Sequence, residues 1–245
     1  MTDVIKIISK KEFLKSGKEP NQEEIWDNIA NPWKTYVVKR LPIVEEFLNK
    51  VSSDFKKSEK SKIAKDIKII DLGCGNGRNM VSNSKIKYYG VDFSSIQLKH
   101  AEIYLKENKI KGILIKSSAD RLDRNLFKNN MFDYGLFMAT LHCIEGKKQR
   151  EDSLKEFYRV LKKGSEALIS VWNSEDSRFD GVGNKGDIFM SWKEDGVPYM
   201  RYYYLYGRKE FLNLLRKTGF KILEFYDARE HDRFSKKNWI VRVGK

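Results

Sequence analysis

Cysteine is nearly absent: Cys74 and Cys143 are the only two in 245 residues. That excludes a disulfide framework and makes a reducing compartment, the cytoplasm, the expected setting. No apolar run approaches the roughly eighteen residues that a membrane-spanning helix needs. Met1-Thr-Asp-Val-Ile-Lys6 carries an early acid and no long apolar stretch of the kind a secretory leader has, so no membrane is expected as a partner. Histidine numbers 3, no Cys/His set has zinc spacing, and no metal centre is expected. Proline numbers only 4, and neither a repeat nor a low-complexity segment interrupts the chain. Its length and a hydrophobic share of 40% suit one substantial core.

What the chain has in excess is positive charge, 48 Lys+Arg against 34 Asp+Glu, a formal net charge of +14. An anionic partner is favoured, RNA first, although scattered lysines also accompany adaptation to heat.

The chain is organised around Ile67-Lys-Ile-Ile-Asp-Leu-Gly-Cys-Gly-Asn-Gly77. A short, β-branched apolar run closed by three glycines reads as a buried strand ending in a tight turn. Glycine lets that backbone take positive φ and approach a ligand closely. The spacing departs from the dinucleotide fingerprint G-x-G-x-x-G, because the third glycine comes one residue early and Arg78 follows it. Asp71 before the turn would repel a pyrophosphate and attract an ammonium group. The next strand, Tyr88-Tyr-Gly-Val-Asp92, ends in an acid placed to accept both hydroxyls of a ribose. Ribose plus amino acid indicates S-adenosylmethionine.

At Asp71-Leu-Gly-Cys-Gly-Asn-Gly77, Gly90-Val-Asp92 and Ser118-Ala-Asp120 the chain resembles the class I S-adenosylmethionine-dependent methyltransferases. A narrower resemblance, covering nearly everything from residue 25 onward, is to the tRNA wobble-uridine carboxymethyl methyltransferases of eukaryotes and archaea. It is carried by Ile25-Trp-Asp-Asn-Ile-Ala30, Leu41-Pro-Ile-Val-Glu-Glu-Phe-Leu48, Ala139-Thr-Leu-His142, Val171-Trp172, Arg201-Tyr-Tyr203 and Asn238-Trp239. The resemblance implies a Rossmann-like α/β sandwich: a mostly parallel seven-stranded sheet with an antiparallel last strand, preceded by N-terminal helices. It implies cofactor contacts from Asp71, Gly73, Gly75, Asn76, Gly77, Arg78 and Asp92. Ser118, Ala119 and Asp120 would surround the adenine, and Met138 and Ala139 would follow the fourth strand. It would bring Trp33, Tyr36, Lys39, Arg40 and Trp172 to a substrate wall, while Trp33 and Tyr36 read equally well as core aromatics that dock the helices. It implies tRNA as substrate and a small zinc-binding activator protein at the sheet edge around residues 112–116. One departure is Thr35-Tyr-Val-Val38, where the family carries a His-Thr-Arg-Tyr type sequence; the missing arginine leaves its contact to Lys34, Lys39 or Arg40.

In chain order, a single domain over 1–245 divides into an arm (1–24), N-terminal helices (25–66), a cofactor-binding core (67–173), an inserted hairpin (174–207) and a C-terminal helix with a strand pair (208–245). The arm reads either as an extra strand or as frayed. Helical spacing starts at Gln22, and a second helix is expected from Pro32 to about Val51, followed by a lysine-rich linker over 56–65. A short helix is expected from Asn76, and Ser94-Ser-Ile-Gln97 fits a capping box opening a helix to about Asn108. Gly112–Lys116 and Phe132–Met138 read as the third and fourth strands. His142, just past the latter at the open end of the sheet, is read as a general base or as a residue lining the pocket. Cys143 has no evident partner base and reads as core. Gly164 is expected to close the helix containing Leu154, Phe157, Tyr158 and Leu161, and Ala167–Trp172 to form the fifth strand. Asp195-Gly196 is a two-residue hairpin signal between Ile188–Glu194 and Val197–Tyr203, which would carry Arg201 and Tyr202 over the pocket. A helix closed by Gly219 and strands over 220–228 and 238–243 complete the chain.

Methyl transfer from a sulfonium requires alignment and exclusion of water. An acceptor carboxylate is ionised at neutral pH and needs no base, so Arg201 would clamp it and His142 would only position it. Two other readings remain open: a methyltransferase for a small metabolite, which gains nothing from the charge, and a catalytically idle RNA-binding or scaffold protein of the same fold.

Overall fold

A computed structural model describes residues 6–15, 21–36, 39–57, 66–182, 186–194, 197–226 and 233–245. The Asp195-Gly196 turn, most of the 56–65 linker, Gly17, Pro20 and His231 lie outside the described residues.

The main sheet has seven strands: β2 (Ile67–Leu72), β3 (Ile86–Asp92), β4 (Gly112–Lys116), β5 (Phe132–Phe137), β6 (Leu161–Trp172), β9 (Lys221–Tyr226) and β10 (Asn238–Gly244), in the order β4-β3-β2-β5-β6-β10-β9. β10 runs antiparallel to both neighbours, with Asn238 opposite Trp172 and Ile240 opposite Tyr226, while the strands from β4 to β6 pair parallel. β2 is buried on both faces, as its near-continuous apolar run requires. One face packs on α4 (Pro42–Lys57) and α5 (Ser95–Glu107) through Val44, Phe47, Leu48 and Leu105. The other packs on α6 (Lys147–Val160) and α7 (Arg208–Thr218) through Leu154, Phe157, Phe211 and Leu215. The sheet changes direction of winding between β2 and β5, so the loops after β2 and β5 meet at one end and form a crevice there.

A second, three-stranded sheet pairs β1 (Ile7–Ser9) with β7 (Gly186–Glu194) and β7 with β8 (Val197–Leu205). The N-terminal arm thus supplies an extra strand, with Ile7 opposite Met190, continued by α1 (Lys10–Leu14). The hairpin keeps the expected register to its end, Glu194 opposite Val197. Trp26, Ile29, Phe179, Ile188, Met190 and Tyr203 form the apolar cluster that joins this sheet to α2 (Gln22–Asn28) and α3 (Ala30–Tyr36).

Four expectations need correction. The helix expected from Pro32 to Val51 is two helices, α3 and α4, because Pro42 opens α4 at its first position and drives Leu41 out of helical conformation. Pro32 is harmless in the first turn of α3, where its missing N–H is not needed. No helix follows Asn76; the chain passes through turns to Met80 and runs on to β3. Gly164 does not close α6, which ends at Val160; it sits at φ +77° inside β6, where the pairing with β5 shifts register. The capping box forms by half: Ser94 Oγ accepts from Gln97 N, but Ser94 N donates to Asp92 Oδ1, so Gln97 is released to face the crevice. No helix among the described residues is long and apolar enough to cross a membrane. The final α8 (Arg233–Lys237) leads into β10.

Candidate active site

The turn after β2 has φ of +74° at Gly73, +53° at Gly75 and +80° at Gly77, conformations that suit glycine alone. The three glycines serve different ends. Gly73 makes room for Thr140, Gly75 opens toward the cavity with Gln97 Oε1 3.9 Å from where a Cβ would sit, and Gly77 lets the turn rest on Ala101 of α5. Asp92 holds the turn in place: its Oδ2 accepts from Gly75 N at 2.8 Å and its Oδ1 from Ser94 N at 2.9 Å. The carboxylate keeps acceptor capacity for a further donor, which is what a ribose hydroxyl requires. Burial raises the Asp92 carboxyl to about 6, although the backbone N–H groups of Ser94, Gly75 and Phe93 pull it down.

Asp71 is fully buried beneath the turn, and among the described residues neither of its carboxylate oxygens has a hydrogen-bond partner. Burial first, and the charge of Asp92 second, raise it to about 7, against the opposing pull of Arg78. Arg78, itself lowered to about 10 by burial, donates to Lys39 O. A buried carboxylate without partners is costly unless something completes it, and a ligand ammonium does so.

These groups border a cavity of about 670 Å³. Of the residues expected to hold cofactor, Gly73, Gly75, Asn76, Arg78, Asp92, Ser118, Ala119, Asp120, Met138 and Ala139 line it, while Asp71 and Gly77 lie underneath. Asp120 accepts from Ser118 Oγ, which fixes the loop after β4. Ala139 has φ +52°, a strained value for a residue with a Cβ, held by its N–H donating to Ser170 Oγ at 2.9 Å.

The expected catalytic and substrate residues stand differently. Trp33 lines the cavity. Arg201 lies one layer behind it, 4% exposed, its guanidinium 5.6 Å from the Trp33 ring, 5.0 Å from Trp192 and 5.4 Å from Tyr203. Its Nε has no hydrogen-bond partner among the described residues. Tyr202 faces away from Arg201, as alternation along β8 dictates. Its hydroxyl accepts from Arg150 Nη1 at 2.6 Å and donates to Asp187, a structural knot outside the cavity wall. His142 is buried in a stack with Trp172 and Tyr203, ring centroids 4.9 and 5.8 Å away. Burial, helped by Arg178, lowers its pKa to about 3, so it stays neutral and lies outside the cavity lining. Trp172 stacks on Tyr203 at 4.0 Å behind the same wall. Arg40 donates to Met80 O and the Tyr104 hydroxyl, clasping the core rather than facing a substrate. Lys39 and Tyr36 are exposed, Tyr36 against Trp192 with centroids 5.6 Å apart.

Gln22, Trp26, Gln97 and Cys143, together with Glu145, Lys148, Gln149 and Asp152 at the α6 entrance, line the cavity without having been expected to. Cys143 is only partly buried, and burial pushes its thiol up to about 12, which makes it inert rather than nucleophilic. Gln22 carries the one available signal, standing at the first position of the helix that covers the cavity. Its amide accepts from Tyr202 N at 2.9 Å and donates to Met200 O at 3.4 Å, tying α2 to β8.

A glycine turn at the reversal of a parallel sheet, with a buried acid in each of two adjacent strands, makes a site for a nucleoside cofactor. A model of the methyltransferase domain matches residues 63–219. The chain is 30% identical over 162 residues to an Encephalitozoon cuniculi protein named as a methyltransferase, covering 64% of this chain and 71% of that one. It is 24% identical over 245 residues to a Schizosaccharomyces pombe protein named tRNA (carboxymethyluridine(34)-5-O)-methyltransferase, covering 91% of this chain and 95% of that one. A crystal structure of a methyltransferase from Methanosarcina mazei superposes with a TM-score of 0.59 at 20% identity, over 74% of this chain and 93% of that one. The chain belongs to the methyltransferase-domain family. Its cofactor is S-adenosylmethionine, and the partnerless Asp71 carboxylate, the Asp92 lone pairs and the cavity volume fit that molecule.

Proposed function

We propose that this methyltransferase acts on tRNA and esterifies the carboxylate of 5-carboxymethyluridine at the wobble position. The observation that carries the reading is similarity along nearly the whole chain to a protein named for that reaction. The +14 charge and a buried guanidinium one layer behind the cavity wall support it.

When bound, S-adenosylmethionine supplies a methyl group already activated by its sulfonium. Asp92 holds the ribose and Asp71 provides the fixed negative charge beneath the amino-acid end. Trp26 and Trp33 close the cavity against water. The acceptor carboxylate is ionised at neutral pH, so no side chain has to remove a proton from it. Arg201 grips that carboxylate through two parallel bonds and holds one oxygen in line with the methyl group. Arg201 is buried outside the cavity lining, so the carboxylate reaches it only after a rearrangement of the wall beside Trp33.

The same reading includes a small activator protein adding a strand at β4, the sheet's edge, where Ile113 is 40% exposed. Lys111 and Lys116, the residues that would guard a free edge, are engaged within the chain: Lys111 with Ser84 O at 2.8 Å and Lys116 with Glu23 at 2.7 Å. Co-purification from the native source tests the activator; full activity of the protein alone would remove it. Mass spectrometry of tRNA nucleosides from cells lacking the protein tests the substrate. Accumulation of 5-carboxymethyluridine with loss of its methyl ester is the expected result, and an unchanged nucleoside profile would send the acceptor to a small metabolite.

A further inference from the structure

Tyr36 is the most exposed aromatic side chain among the described residues, 78% open to solvent at the end of α3. It is not an isolated surface ring. Trp33, in the cavity wall, meets Trp192 edge-on at 5.6 Å, and Trp192 meets Tyr36 at 5.6 Å with the rings 83° apart. A continuous aromatic track therefore leads from the cavity to the outer surface. Lys39, exposed, follows this outer end by three residues in the chain, and Lys193, also exposed, follows Trp192 on β7.

A chain that buries most of its large rings leaves most of this one in water. The combination of an open ring, exposed lysines in the same two segments and continuity with a catalytic cavity is the chemistry of single-stranded nucleic acid binding. Bases stack on aromatic faces while lysines neutralise the backbone. An acceptor nucleotide that enters the cavity must leave its stack, which strips its neighbour of one stacking face. We infer that Tyr36, braced by Trp192, stacks the unpaired base next to the target nucleotide. This inference rests on the proposed RNA substrate and adds to it the place where the flanking nucleotide is held.

The test compares Tyr36→Ala, Tyr36→Phe and Tyr36→Trp in steady-state methylation of unfractionated tRNA, with S-adenosylhomocysteine binding measured alongside. Tyr36→Ala should raise KM for tRNA about tenfold, with kcat and cofactor affinity unchanged, because one stacked base is lost. Phe and Trp should restore KM to within about twofold, since both keep a π-face. An unchanged KM in Tyr36→Ala overturns the inference while leaving the RNA reading intact. A Phe variant as weak as the Ala variant also overturns it, because a hydroxyl contact would then replace stacking. Absence of tRNA methylation by the parent protein, both alone and with whatever co-purifies with it from the native source, overturns the substrate reading and this inference together.

Discussion

The side chain of Thr140 occupies the space that a Cβ on residue 73 would need: such an atom would lie 2.2 Å from Thr140 Cγ2 and 2.3 Å from Oγ1. Thr140 Oγ1 also donates to Gly73 O at 3.2 Å. The loops after β2 and β5 are thereby locked at the reversal of the sheet, and the cavity inherits its shape from that lock.

Gly73→Ala should destabilise the protein by about 3 kcal/mol, from the overlap and from a φ of +74°. Adding Thr140→Gly should recover the overlap share and leave the backbone share, so the double variant is more stable than Gly73→Ala alone. Urea unfolding of the three variants measures this. Simple additivity would mean that the two residues do not compete for space.

The buried acids make a pH prediction with a definite sign. Asp71 and Asp92 are raised to about 7 and about 6 from an ordinary 3.8, chiefly by burial. Between those values the folded chain holds protons that the unfolded chain has released. Their contribution to the cofactor-free protein is therefore greatest at low pH and is lost as pH rises through 6 to 7. A ligand ammonium and ribose hydroxyls favour the ionised carboxylates, so cofactor affinity should rise over the same window. Asp71→Asn should be more stable than the parent at pH 8 and bind S-adenosylhomocysteine about tenfold more weakly. Calorimetry in buffers of different ionisation enthalpy should detect proton release in the parent. A pH-independent affinity would contradict the role given to Asp71.

Asp92→Ala removes the acceptor for Gly75 N and Ser94 N as well as the ribose site. Loss of affinity for S-adenosylhomocysteine should be on the order of 2 kcal/mol or more. An unchanged dissociation constant would sink the ribose assignment.

His142→Phe should keep the stack on Trp172 and Tyr203 and retain methylation to within a few-fold, because the ring is neutral and outside the cavity lining. A loss of a hundredfold or more, with normal unfolding, would return the general base to this position.

The glycine turn and the two acids of the candidate site were legible because their signals are local. Asp71, Gly73 and Gly75 stand within five residues, and Asp92 closes the adjacent strand. The rest of the site is assembled by long-range packing. Gln22 reaches β8 across 180 positions, and the Glu145–Asp152 entrance is set by the direction in which α6 leaves the sheet. Arg201 and Tyr202 illustrate the limit. Both lie on the expected hairpin, but only the pleat of β8 decides that one faces the aromatic wall and the other Arg150. His142 was misplaced for the same reason, since the 3-10 turn over Leu141–Cys143 rotates it into the core and brings Cys143 to the cavity.

The proposed acceptor, a carboxylate on RNA, would yield a methyl ester, and an ester is distinguished from every other methylation by its hydrolysis. Unfractionated tRNA from cells lacking the protein is incubated with enzyme and methyl-labelled S-adenosylmethionine, then treated with dilute alkali. Methyl esters hydrolyse there, whereas methyl groups on ring nitrogen, ring carbon or ribose oxygen do not. Release of the label as methanol is expected, with Arg201→Lys lowering incorporation while S-adenosylhomocysteine binding stays normal. Label that remains in the nucleoside would exclude the ester and move the acceptor to the base or the sugar.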